Sequence, residues 1–242
     1  MVASSPSELV FTYPPLIPGI LKKRYKRFLA DIELASGELV TAHCPNTGPM
    51  TGVCEVDAPV MLSHHPTGKR KLPYTWELIR VDDAWVGVNT ARPNRIVELG
   101  LAEGWFPELI GFETCQREAP YGEQNSRIDF LLTYPDGALV YVEVKNTTWC
   151  DGPTALFPDT VTTRGQKHLQ ELMLMVERGH RAVMLYFIHR GDCTHFAPGD
   201  RKDPDYGRLL RQAAEVGVEI LPYRFHLDPP ELCCLGLVAL SL

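Results

Sequence analysis

The hydrophobic pattern of the chain changes at Arg92-Pro93, and that change limits the fold more than any other feature. Before it come short extended segments: Leu9 to Tyr13, Gly19 to Leu34, Glu38 to His43, Val60 to His64, Thr75 to Val81 and Ala84 to Asn89. Turn signals separate them at Ser36-Gly37, Pro45-Asn46-Thr47-Gly48, Pro66-Thr67-Gly68 and Asp82-Asp83. No stretch there sustains a helical period. Residues 1–90 are therefore expected to form an all-β module, and five or six short strands closing on themselves make a small barrel of the oligonucleotide-binding (OB) type, with a half-open sandwich as the competing architecture.

After Arg92-Pro93, helical and strand periods alternate. Asn94 is placed to cap a helix whose apolar face is Ile96, Val97, Leu99 and Leu101 and which ends near Gly104. Strands follow at Ile110 to Glu118, Arg127 to Tyr134 and Ala138 to Asn146, with Pro135-Asp136-Gly137 as a hairpin turn. A helix runs from about Thr162 to Arg178, with Gly179 ending it. Arg181 to His189 reads as a strand buried on both faces, Pro204 to Val216 as a helix, and Val218 to Arg224 as a last strand. Residues 91–242 are thus expected to form an α/β domain with helices on both faces of a mixed sheet.

Composition narrows the class. With 45% hydrophobic and 22% charged residues over 242 positions, the chain has the apolar material for a real core and is neither disordered nor fibrous. Prolines 14, 15 and 18 interrupt the N-terminal apolar stretch, so no signal peptide is expected. The longest nearly apolar run, Leu232 to Leu242, is far short of the roughly 20 residues a membrane helix needs, so no membrane association is expected. Seven cysteines without a CxxC pair suit a reducing compartment, and the cytoplasm is the expected location. Nine of the 24 Lys/Arg and nine of the 30 Asp/Glu fall before residue 91, so the whole net charge of -6 lies beyond it. Five of those nine early cations stand in Lys22-Lys23-Arg24-Tyr25-Lys26-Arg27, where phosphate contacts with an interleaved aromatic suit a nucleic-acid strand; the competing reading is a solvated strand edge that discourages aggregation.

Chemistry is written into two apolar strand sequences. Asp129 interrupts one, and Glu143 and Lys145 interrupt the other. A lone buried carboxylate costs several kcal/mol, so these groups must pair or hold a metal. Period two puts Glu143 and Lys145 on one face with Val142 and Val144 on the other, and the Pro135-Asp136-Gly137 hairpin brings Asp129 to the same place. This is the D…ExK pattern of Mg²⁺-dependent nucleases: Asp129, Glu143 and the Val144 carbonyl as hard oxygen ligands for Mg²⁺ or Mn²⁺, and Lys145 to orient a water or neutralise charge on the phosphorane. A structural Glu-Lys pair at a strand end is the alternative. Asp200-Arg201-Lys202 has the same spacing but sits in a polar loop, where charge needs no explanation. Arg164-Gly165-Gln166-Lys167-His168 opens the helix after the hairpin, and its polar side chains and free backbone N–H groups are placed to face phosphate, while Glu98 or Glu103 is a further candidate for the metal shell. No GxGxxG, P-loop or HExxH occurs.

Four blocks, HCPNTGPM (43–50), YGEQNSRIDF (121–130), VEVKNTT (142–148) and FPDTVTTRGQKHLQEL (157–172), resemble the signature segments of the sugar fermentation stimulation protein A (SfsA) family, in order and without large gaps from about Val10 to Arg224. The resemblance implies a DNA-binding protein with an OB-like N-terminal domain and a C-terminal domain similar to PD-(D/E)XK nucleases. It carries Asp129, Glu143 and Lys145 over as the nuclease-like trio, with Gln166 beside them in the catalytic set and Lys167 in the flanking helix. The expected ligand is nucleic acid, DNA or RNA. Two functions stay open at this point: a metal-dependent phosphodiesterase, and a non-catalytic DNA-binding regulator with a vestigial nuclease fold, the family name reporting a link to sugar metabolism without naming a substrate.

Overall fold

The computed structural model describes residues 9–66 and 71–242; the turn expected at Pro66-Thr67-Gly68 falls partly outside them. β1 (Val10–Thr12) is followed by β2 (Leu16–Tyr25), β3 (Leu29–Leu34), β4 (Leu39–His43), β5 (Pro59–His64), β6 (Tyr74–Val81) and β7 (Ala84–Gly87). Strands β2 to β6 run in the order β4-β3-β2-β5-β6, and parallel pairing of β4 with β6 closes the barrel. Alternate residues point inward, so Leu21, Ile32, Ala42, Leu62 and Trp76 are fully buried. This is the OB-type barrel that the turn spacing predicts.

Two expectations in this region change. Gly19 to Leu34 is a hairpin rather than one extended segment, because Lys26 and Arg27 adopt positive φ (49° and 65°) and turn the chain at the end of the basic cluster. β1 leaves the barrel and pairs antiparallel with β16 (Glu231–Leu237) at the rim of the C-terminal sheet, burying part of its apolar side chains there.

The second half contains α1 (Arg92–Glu103), β8 (Thr114–Tyr121), β9 (Ser126–Thr133), β10 (Leu139–Thr147), β11 (Cys150–Asp151), β12 (Thr154–Phe157), α2 (Thr163–Glu177), β13 (Arg181–Ile188), β14 (His195–Pro198), α3 (Pro204–Val216), β15 (Glu219–Asp228), β16 and β17 (Ala239–Leu240). The main sheet has the order β1-β16-β15-β13-β10-β9-β8, with β10, β13 and β15 parallel and the rest antiparallel. Val140, Val142 and Val144 pack on the α1 side with Ile96, Val97 and Leu101; Tyr141, Met184 and Tyr186 pack on the α2 and α3 side with Leu169, Leu172 and Leu210. Both faces of the central strands are thus buried, as helices on both sides require. The strand expected from Ile110 begins only at Thr114, after a 3-10 turn at Pro107–Leu109 and Gly111 at φ 90°. Asn94 lies inside the first turn of α1 rather than at its cap, which is Ala91.

A buried polar belt joins the two halves. Glu77 of β6, 1% exposed, accepts from Ser63 Oγ (2.6 Å), Asn89 Nδ2 (2.8 Å) and both Nε and Nη2 of Arg92 (2.8 and 2.5 Å). The Arg92 guanidinium stands 5.5 Å from the Tyr13 ring centre, and the Tyr13 hydroxyl lies 2.9 Å from His189 Nε2. Burial, reinforced by the charge of Arg92, pushes His189 down to about 3, so its ring is neutral. The ring's Nδ1 is 3.2 Å from Asn146 Oδ1, an acceptor only, so Nδ1 carries the proton and Tyr13 donates to Nε2. The Gly87 N–H donates to the His189 carbonyl at 2.9 Å, fastening β7 to the end of β13.

Candidate metal and nucleic-acid site

The site arises where two paired strands part. The β9–β10 ladder runs from Thr133↔Leu139 to Phe130↔Val142 and stops, while β10 continues along β13 to Thr147 and β9 continues along β8. Past that point the Val144 N–H has lost its strand partner, and Asp129 Oδ2 accepts it at 2.8 Å. Asp129 Oδ1 accepts from Asn94 Nδ2 of α1 at 2.7 Å. A side chain from β9 thus enters the gap between the strands, held from the far side by a helix.

Glu143 stands beside it, 3% exposed. Its Oε1 accepts from Lys145 Nζ at 2.6 Å and from His168 Nδ1 of α2, while Oε2 is buried with no partner. Lys145 Nζ also lies 3.1 Å from His168 Nδ1. Arg164 Nε donates to His168 Nε2 at 3.4 Å, which leaves Nδ1 directed at Glu143. Burial, then the neighbouring charge of Glu143, pushes the Asp129 carboxyl up to about 6 against the pull of the Val144 N–H and Lys145. Burial acts on Glu143 in the same sense, but the charge of Lys145 and the bonds from His168 and Lys145 override it and hold the carboxyl below its ordinary range.

The donor set fits a hard divalent cation. Two carboxylates share a pocket of about 260 Å³ that also exposes Val144 and Lys145, and the bare Oε2 is a buried acceptor awaiting a positive partner. Among the described residues no group of three or more His, Cys, Asp or Glu is arranged around one ion. Two carboxylates, a main-chain carbonyl and several waters suit Mg²⁺, which sheds its waters reluctantly.

The trio predicted from the strand patterns therefore converges, and the other predicted residues divide. Arg164 lines the same pocket and braces His168. Gln166 donates instead to Asp203, the N-cap of α3, at 2.9 and 3.1 Å, and Lys167 donates to the Gln124 carbonyl, so neither side chain stands on the trio. Glu98 pairs with Arg117 and Glu103 accepts the Trp105 indole, which removes both from the metal shell. In the β2–β3 hairpin, Lys22 bulges out and pairs with Glu33 (2.9 Å) and Asp57 (3.0 Å). Arg24 is spent on the carbonyls of Arg27, Asn46 and Gly48, and Tyr25 donates to Asp31 at 3.0 Å. Lys23, Lys26 and Arg27 have no acidic partner among the described residues. Sequence reasoning did not single out Asn94 as a site residue, and it placed His168 only among the polar residues facing phosphate, not as a partner of Glu143, although His168 falls four residues after Arg164, one helical turn away.

A closed OB barrel docked on a mixed sheet, with an Asp, a Glu and a Lys gathered where two of its strands part, defines a two-domain protein with a nuclease-like C-terminal fold. The chain belongs to the SfsA family. Residues 23–88 match the SfsA N-terminal OB domain and residues 91–231 the sugar fermentation stimulation protein RE domain. A sugar fermentation stimulation protein homolog of Picosynechococcus sp. is 63% identical over 233 residues, covering 94% of this chain and 92% of the relative. Its counterpart in Microcystis aeruginosa is 60% identical over 238 residues, covering 98% and 99%. The structure of Pyrococcus furiosus SfsA in complex with Ca²⁺ superposes with a TM-score of 0.88 at 26% identity, covering 98% of this chain and all of that one. No helix among the described residues is long and apolar enough to cross a membrane.

Proposed function

We propose that the chain binds nucleic acid, DNA or RNA, and hydrolyses phosphodiester bonds in its C-terminal domain with Mg²⁺ or Mn²⁺. The unpartnered, fully buried Oε2 of Glu143 beside Asp129 carries this reading. Asp129, Glu143 and the Val144 carbonyl would hold the ion. When bound, it would polarise the scissile phosphate and acidify a water. His168 and Lys145 both occupy Oε1, which leaves Oε2 as the oxygen for the cation. The Val144 N–H and Asn94 fix both oxygens of Asp129, so the carboxylate does not rotate during the reaction. Lys145, with its ammonium at the rim of the pocket, neutralises charge developing on the phosphorane. The Ca²⁺ bound to the Pyrococcus furiosus relative, another oxygen-seeking divalent ion, supports the same choice of ligand. Residues 1–90 and 91–242 are proposed as the working domains. A reducing cytoplasm is proposed as the protein's compartment.

The test is cleavage of labelled single- and double-stranded DNA and RNA across a Mg²⁺ and Mn²⁺ titration with chelator controls. The wild type is expected to cleave only with metal, and Glu143→Gln and Lys145→Ala to lose at least about 100-fold while staying folded at the assay temperature. Equal cleavage by the variants overturns the assignment of residues. Binding without cleavage by any form makes the protein a regulator on a nuclease fold.

A further inference from the structure

Positive charge also gathers outside the metal centre and away from the β2–β3 hairpin. A cleft of about 520 Å³ opens between the barrel and α1, with His43, His65 and Lys71 on one wall and Arg92 and Arg95 on the other. That volume is in the range of small-ligand sites, about 300 to 1,000 Å³. Among the described residues the one acid in its lining is Glu77, whose two oxygens are already taken by Ser63, Asn89 and Arg92. Among the described residues neither Lys71 nor Arg95 has an acidic partner. In a chain of net charge -6, Lys71 and Arg95 beside Arg92 give this cleft a positive field that attracts an anion.

Arg92 makes the cleft a built site. Its side chain is largely buried, and Glu77 holds Nε and Nη2 at 2.8 and 2.5 Å, so the remaining nitrogen, Nη1, is fixed in place without a protein acceptor. A donor held this way loses little freedom when an anion arrives. The first turn of α1 adds to it, since it has no acidic residue and no side-chain cap to offset its positive end. The same turn carries Asn94, which holds Asp129, and Thr90 lines the carboxylate pocket while Asn89 and Ala91 line the cleft. Cleft and metal centre therefore flank one stretch of chain.

We propose that this cleft seats one unpaired nucleotide of a nucleic-acid strand that runs on past the carboxylates. Arg95, Lys71 and Arg92 Nη1 take its backbone phosphate, and the exposed His43 ring lies against the base. A recess enclosed by two walls admits a nucleotide only when its base is out of a duplex, so the ligand is single-stranded or locally opened. The β2–β3 hairpin, with Lys22 and Arg24 already committed, is a weaker contact.

This inference takes nucleic acid as the ligand, as the proposed function does, but its test contains chelator and so does not depend on cleavage. A labelled single strand of about 12 nucleotides, and the duplex of the same sequence, are titrated by fluorescence anisotropy between about 50 and 200 mM salt. Arg95→Ala and Lys71→Ala, both at exposed positions, are each expected to weaken single-strand binding about tenfold and to lower the salt slope by about one. The Lys23→Ala/Lys26→Ala/Arg27→Ala variant should lose less than the Arg95→Ala/Lys71→Ala double variant. A double variant that binds the single strand within about twofold of wild type overturns the proposal, whatever the hairpin variant does. Cleft-dependent binding without metal-dependent cleavage would overturn the hydrolase and leave this site standing. Cleavage with cleft-independent binding would do the reverse.

Discussion

The two oxygens of Glu143 are treated differently by the surrounding side chains, and that asymmetry orients the site. Oε1 is crowded by Lys145 and His168, and Oε2 is bare. The strand patterns reveal Asp129, Glu143 and Lys145 because charge inside an apolar run is conspicuous at the residue level. Asn94 and His168 are not legible in the same way, since the face a helix turns to the sheet is settled by packing. Asn94 is also an ordinary capping residue, which gives it a sufficient local explanation. The raised carboxyl of Asp129 has a consequence in metal-free protein. Its folded value of about 6 lies above the ordinary 3.8, so the native state keeps this proton longer than the unfolded chain does. The stabilisation is therefore complete below about pH 4 and lost as pH rises through 6, by an amount on the order of 3 kcal/mol. In chelator, the stability of wild type relative to Asp129→Asn should fall over that interval in urea denaturation, and Mg²⁺ at neutral pH should restabilise the wild type alone. A constant difference between the two proteins would contradict it.

Among the elements, β7 and the end of β13 meet with no room between them. A Cβ on Gly87 would lie 2.0 Å from Cε1 and 2.1 Å from Nε2 of His189, so only glycine lets the ring sit across the strand. Gly87→Ala must displace His189 from Tyr13 and Asn146. A loss of about 3 kcal/mol is expected by urea denaturation, the upper range for overpacking, and a loss under about 1 kcal/mol would show that the ring has another place to go. Helices and central strands were legible to within a few residues because their periods are long and their ends carry Gly, Pro or Thr signals. The β2–β3 turn was not, since Lys26-Arg27 contains none of the residues that ordinarily mark a hairpin. The short strands β11, β12 and β14 were not predicted either; with two to four residues each, they are too brief to show a period.

For the whole molecule, the pattern change at Arg92-Pro93 separates barrel from mixed sheet, yet it does not separate the chain cleanly in space. β1 is bonded along β16, the Tyr13 N–H donates to the Pro230 carbonyl at 2.8 Å, and the Tyr13 hydroxyl reaches His189. Nothing in the sequence of Val10 to Thr12 distinguishes a barrel strand from a sheet-edge strand, because both are short and apolar. A fragment of residues 91–242 retains the carboxylate centre but lacks the strand that covers β16 and the partner of His189. It is expected to melt below the full chain and to associate through the bared β16 edge, as read by thermal unfolding and light scattering. Melting at the temperature of the full chain would show that the N-terminal strand is dispensable.

The same strand sets an order of events during synthesis. Val10 to Thr12 leave the ribosome long before their bonding partners, Glu231 to Cys233, are made. The barrel has every strand it needs once Val81 has emerged, whereas the large sheet waits for β16 before β1 can be laid down on it. Early chain must stay tethered and uncommitted through that interval, so the nuclease-like half reaches its finished form well after the barrel.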